Sequence, residues 1–257
     1  MNVIKLMGGL GNQLFQYMFG QAQAENGVEV AYDSSWFTTK GNRDTFRLYL
    51  LDKFNIEVKD SPFLRQQDLH ETNYNENLLL IKNCNFWGYW QYLKYYDSIL
   101  SHLQAVLMIS DTFYTPEYLR LKLRVANGGI TALHVRRGDY LTTKGFKALP
   151  LSYYYEALRY IKGDVFIFSD DLEWCKRYFK SEYFDRKLTF VDLPDYLSFD
   201  LMRQCSDFII SNSTFSTLAA YLCSNPDKIV IGSKDVCIDS KQEREKKLYL
   251  PDGWILL

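Results

Sequence analysis

From residue 130 onward, short apolar runs alternate with stretches whose apolar residues recur at helical spacing. Ile130–Val135 reads as a strand, and Pro150-Leu151-Ser152-Tyr153 opens a helix through Ile161. Val165–Phe168, Leu188–Val191, Phe208–Ile210 and, last, Lys228–Ile231 read as further strands. Leu172–Phe179, Leu197–Cys205 and Ser216–Leu222 read as the intervening helices. Unbroken β–α alternation predicts a parallel, doubly wound sheet.

The first half is less regular. Val3–Met7 is an apolar strand that stops at Gly8-Gly9-Leu10-Gly11-Asn12-Gln13. Leu14, Phe15, Met18, Phe19 and Ala22 then follow helical spacing, so a helix is expected from about Asn12. Val28–Tyr32 reads as a second strand, and 33–80 as irregular, with Trp36, Phe37, Phe46, Tyr49 and Phe54 among charges. The aromatic run from Phe86 to Tyr96 reads mainly as core, with Trp90 and Gln91 as candidates to face a sugar. Ile99–Met108 and Glu117–Ala126 are helical in pattern. Asn127-Gly128-Gly129 is the best boundary signal, giving domains at 1–126 and 127–257. The charged stretch Asp239–Lys247 is expected to be a solvated helix or loop.

Composition narrows the function classes. Lys+Arg 30 against Asp+Glu 31 argues against a general nucleic-acid binder, though not against a nucleotide held in one basic pocket. Five cysteines without C-x-x-C spacing read as free thiols in a reducing cytoplasm, and three scattered histidines make a zinc site improbable. Neither a signal peptide nor a membrane span is visible, so a cytoplasmic protein is expected, compatible with peripheral association at the inner membrane.

Candidate chemistry collects where strands end. His134-Val135-Arg136-Arg137-Gly138-Asp139-Tyr140 closes the Ile130 strand, and two adjacent guanidiniums there suit a phosphate or diphosphate. Ser169-Asp170-Asp171 and Ser211-Asn212-Ser213-Thr214-Phe215 close two others. In a parallel sheet these ends share one edge. Ser213 and Thr214 could offer hydroxyls and helix N-terminal amides to an anion, and Asp170 could accept two N–H bonds from guanine. Each has a plainer reading. Asp170 or Asp171 could cap the Leu172 helix, Ser213-Thr214 could cap the next, and Arg137 could pair with Asp139. The glycine loop after the first strand matches neither a P-loop nor a dinucleotide fingerprint. An anion-facing loop and a tight turn are both open for it, and Asn12-Gln13 favour the ligand-facing reading. An Asp-x-Asp metal motif is missing, so arginines would have to stabilise a leaving diphosphate in place of Mg²⁺.

Gly8 to Tyr17, Gly88-Tyr89-Trp90-Gln91, His134 to Tyr140, Phe168 to Asp171 and Ser211 to Ser216 occur in an order that resembles the alpha-1,2-fucosyltransferases of glycosyltransferase family 11. The resemblance implies a GT-B-like α/β fold, two Rossmann-type domains facing a cleft, with the acceptor side in the first and the GDP-sugar in the second. It implies inverting transfer of L-fucose from GDP-β-L-fucose to the 2-hydroxyl of a terminal galactose on an oligosaccharide, without cofactor or obligatory metal, in lipopolysaccharide or capsule biosynthesis. By the same resemblance Arg136 holds the β-phosphate, His134 and Asp170 bind guanosine, and Ser213, Thr214 and Phe215 form a phosphate loop. Gly9 and Asn12 reach the donor from the first half, Arg137 joins the binding set, and Asp139 is either the catalytic base or a support for the arginines. Thr217-Leu218 stand where many members carry two tryptophans, which bears on donor or acceptor preference. Two alternatives remain: a same-fold enzyme using another nucleotide sugar, and a non-catalytic glycan- or nucleotide-binding module.

Overall fold

Helix α1 (Leu10–Glu25) is buried on nearly every face, including three glutamines. The computed structural model, which describes residues 1–38, 47–234 and 250–257, shows what those amides do. Gln13 donates to the carbonyls of Gly8 and Leu48 at 3.0 and 2.8 Å and accepts from the Leu50 N–H at 2.9 Å. Gln16 accepts from Met7 N–H at 2.8 Å and donates to Gly88 C=O at 3.0 Å. Gln23 accepts from Asn2 at 3.0 Å and donates to Leu78 C=O at 2.9 Å. Loops with no sheet partners are thus pinned to the helix, and each buried amide is satisfied.

Around α1 lies a four-stranded parallel sheet in the order β2 (Val30–Asp33), β1 (Asn2–Lys5), β4 (Cys84–Trp87), β3 (Gln67–His70). Strand β3 falls in the stretch expected to be irregular, because Leu69 is its one apolar residue and it lies at the sheet edge. Trp90 stacks on Phe19 with centroids 4.3 Å apart and is wholly buried, so it belongs to the core rather than to a sugar-facing surface.

The chain divides into two compact units, the first Met1–Ser110 and the second beginning at Asp111. Division therefore precedes α3 (Pro116–Ala126) instead of following it at residue 126. The cause is packing: α3 buries Tyr118, Leu121 and Val125, and Tyr118 Oη donates to Asp200 on α6 (Asp195–Met202). The short helix α2 (Leu100–Val106) stays with the first unit.

The second unit carries a six-stranded parallel sheet, ordered β10 (Ile255–Leu256), β9 (Val230–Gly232), β8 (Asp207–Ile209), β5 (Ile130–Val135), β6 (Asp164–Ser169), β7 (Leu188–Val191). Helices α4 (Leu151–Ala157), α5 (Leu172–Tyr178), α6 and α7 (Thr214–Leu222) connect them. The α/β class with parallel sheets in both halves thus holds. The expected last strand at Ile231 is followed by β10, a two-residue addition at the sheet edge. The expected tail element at Asp239–Lys247 lies outside the described residues, as do Phe46 and Cys237.

Candidate active site

Strand order fixes where a ligand can sit. From β5 the chain winds outward through β6 to β7, then crosses back to place β8 on the other side of β5. The loops leaving β5 and β8 therefore diverge, and open α/β sheets bind ligands at such a switch point. The three polar strand ends singled out in the sequence follow β8, β5 and β6, which are consecutive neighbours.

Arg136 and Arg137 leave β5 in different frames. Arg136 Nη2 contacts Asp139 Oδ1 at 2.5 Å, and Nη1 contacts Asp170 Oδ2 at 3.0 Å. Its guanidinium lies 5.4 Å over the Tyr140 ring. Arg136 Nε is buried without a hydrogen-bond partner. The guanidinium of Arg137 stacks on Trp174 at 4.1 Å, while its Nε donates to Asp171 Oδ2 at 3.1 Å and its N–H to Asp170 Oδ1 at 2.9 Å. Asp171 is the cap of α5, accepting from Trp174 N–H at 3.1 Å, so one carboxylate serves both the helix and the arginine. Arg137 pairs with Asp171 rather than Asp139, which pairs with Arg136. Gly138 lies close against Asp170: a Cβ there would lie 2.5 Å from Asp170 Oδ2, so the carboxylate would have to shift.

His134 sits inside this frame, with Nδ1 2.8 Å from Ser211 Oγ and its ring 5.5 Å from that of Phe215. Burial, aided by the Arg136 charge, pushes its pKa down to about 3, so the imidazole is neutral at pH 7. Linkage follows from the sign. The folded state resists protonation that the unfolded chain accepts near 6.5, so stability present above that pH is lost as pH falls toward 3. Replacing His134 by Gln should flatten this slope, which for one group approaches about 1.4 kcal/mol per pH unit. Urea midpoints measured at pH 7 and pH 4 read it; an equal drop in wild type and variant would refute the assignment.

Ser213 occupies the cap position of α7 and is buried, yet its side chain makes no capping bond. Thr214 begins the helix and Phe215 packs edge-on against Phe199 at 5.4 Å. Thr217 and Leu218 are fully buried in α7, where they pack as core. Gly9 and Asn12 belong to the first unit, where Gly9 is the N-cap residue of α1 and Asn12 Oδ1 accepts from Gln91 Nε2 at 2.9 Å. Gln13, expected to face a ligand, is instead a buried brace of the glycine loop. Trp174 was not a sequence candidate; its one signal is its place three residues after the Asp171 cap. Among the described residues no cluster of His, Cys, Asp or Glu could hold a metal, and Cys84, Cys175, Cys205 and Cys223 are buried thiols. No helix among them is long and apolar enough to cross a membrane.

Comparison with known proteins agrees with the motifs. The O-antigen biosynthesis glycosyltransferase WbnK of Escherichia coli is 30% identical over 89% of this chain and 92% of its own. An alpha-1,2-colitosyltransferase, also from Escherichia coli, is 28% identical over 86% and 87%. Among solved structures, Arabidopsis thaliana FUT1 in complex with GDP aligns with 89% of this chain and 69% of that one, at 13% identity and a TM-score of 0.47. The model of glycosyl transferase family 11 matches residues 77–257, and with the relative of 30% identity beside it, the protein belongs to that family and is a glycosyltransferase.

Proposed function

We propose that the protein transfers L-fucose from GDP-β-L-fucose, with inversion, to the 2-hydroxyl of a terminal galactose on a glycan. The observation that carries this is the Arg136–Arg137 pair held at the carboxyl end of β5 by three carboxylates and two rings. The acceptor oxygen bonds to the anomeric carbon as the carbon–oxygen bond to the diphosphate breaks; the leaving GDP takes the electron pair, and the hydroxyl proton is released to solvent. Preorganised guanidiniums stabilise charge developing there.

Two guanidiniums face three carboxylates in the cluster, so a diphosphate must be accompanied by an exchange of partners. Asp170 supplies it. A carboxylate that accepts the two N–H bonds of guanine gives up Arg136 Nη1, which turns to the phosphate. Neutral His134 lines the nucleoside side, and Ser213, Thr214 and Phe215 offer the N-terminus of α7. Asp139 holds Arg136 in aim through their 2.5 Å contact and acts as a positioning residue. Gly9 and Asn12 remain donor contacts in this reading. The name of its O-antigen relative favours an envelope glycan acceptor, met on the cytoplasmic side.

The test is release of GDP from GDP-fucose with lactose and a panel of galactosides, with the linkage read by NMR. Acceptor-dependent release supports transfer; its absence across the panel refutes the reading, and a pure binding module would give that result. Because guanidiniums take the metal's part, turnover should persist in excess EDTA, whereas complete loss restored by Mg²⁺ would refute that part. The colitosyltransferase name favours a second reading, a donor carrying a different sugar on the same site. Tighter calorimetric binding of UDP than GDP would point further, to another nucleotide.

A further inference from the structure

Beyond Arg136 the chain forms a short aromatic arm, residues 139–147, that phosphate binding does not explain. The rings of Tyr140 and Phe146 meet at a centroid distance of 4.7 Å, tilted by 34°. Arg136 lies over the Tyr140 ring, so anion site and arm share a wall. Two bonds tie the arm to the segment after β8. Tyr140 Oη donates to Asn212 C=O at 3.0 Å, and Asn212 Nδ2 donates to Lys147 C=O at 3.0 Å. Its first turn is closed by Thr143 N–H to Asp139 C=O at 2.8 Å.

The arm is held firmly and spends little of its apolar surface on the core. Leu141 is 56% exposed and Phe146 41%. An exposed ring that packs on Tyr140, which also meets the Arg136 guanidinium, suits a ligand with two faces, one anionic and one apolar. A diphosphate alone would use only the arginines. A pyranose joined to a diphosphate uses both, with its C–H face on an aromatic ring.

We propose that Tyr140 and Phe146 form the donor's sugar subsite, and that Phe146 receives the methyl group of a 6-deoxy sugar. The inference rests on the glycosyl-transfer reading and adds to it the residues that choose the sugar. Burying a methyl group contributes roughly fourfold in affinity, and losing a whole ring contact costs more.

Calorimetry without acceptor tests it, using the full chain, GDP, GDP-L-fucose and GDP-L-galactose, whose sugar carries a hydroxyl on that methyl. Phe146→Ala should weaken GDP-fucose about tenfold, leave GDP within twofold, and narrow the preference for GDP-fucose over GDP-L-galactose. Phe146→Leu should retain most of that preference, with a melting temperature near wild type for both variants. Equal weakening of GDP and GDP-fucose would place the ring on the nucleobase and overturn the proposal. Unchanged binding of both donors would overturn it as well. A wild-type protein that binds neither GDP nor GDP-fucose would instead overturn the reading beneath it.

Discussion

Replacing Arg136 by alanine is expected to lower kcat/KM by about 10²–10³-fold, the range seen when one preorganised donor to a developing oxyanion is removed. The effect falls on kcat as well as on KM, because the guanidinium binds the leaving group most tightly when the glycosidic bond is broken. Arg136→Lys should recover only a small part, since an ammonium keeps the charge but not the planar fork that spans Asp139 and Asp170. Truncation also leaves those two carboxylates facing each other. Both are partly solvated, so stability should drop modestly and the fold survive. Steady-state kinetics with a thermal melt check both halves. Turnover near wild type in a folded Arg136→Ala protein would remove the leaving-group assignment.

Much of the second unit was legible because its strands are continuous apolar runs bounded by turn or polar residues. Ile130–Val135 ends where Gly129 and Arg136 stand, and the observed strand has those bounds. Buried on both faces, such strands need little tertiary information to be recognised. Strand β3 escaped because an edge strand of Gln67-Asp68-Leu69-His70 carries no run and no clean alternation. Gln13 and Trp90 misled for one shared reason. A polar or aromatic residue beside a glycine loop looks ligand-facing until the carbonyls of Gly8 and Leu48, or the ring of Phe19, are placed next to it. The domain boundary was misplaced because the partner of the α3 stripe, Asp200, lies 82 residues after Tyr118. The candidate site shows the same division. Its members could be named from three strand ends, but not their pairing. That Arg136 takes Asp139 and Asp170 while Arg137 takes Asp171 and Trp174 depends on side-chain directions that only the folded loops define.

That pairing makes Gly138→Ala the most informative small change in the site. The added methyl would meet Asp170 Oδ2 at 2.5 Å, far inside van der Waals contact, so the carboxylate or the loop must move. Either movement disturbs the carboxylate that contacts Arg136 Nη1 at 3.0 Å and accepts from Arg137 N–H at 2.9 Å. Asp170 then loses its aim at the nucleobase, and mispositioning of about 1 Å can cost about 10²-fold in rate. A loss of that order in kcat/KM is expected, with a weaker GDP complex and a melting temperature lowered by only a few degrees. Asp170→Asn sets the comparison, since it keeps the side chain's volume while removing its charge and turning one acceptor oxygen into an N–H₂ donor. Because Asp170 accepts guanine's two N–H bonds in the proposed complex, Asp170→Asn should weaken GDP binding at least as much as Gly138→Ala. A Gly138→Ala enzyme with wild-type kinetics and GDP affinity would show that the Asp170 contact does not set the geometry of transfer.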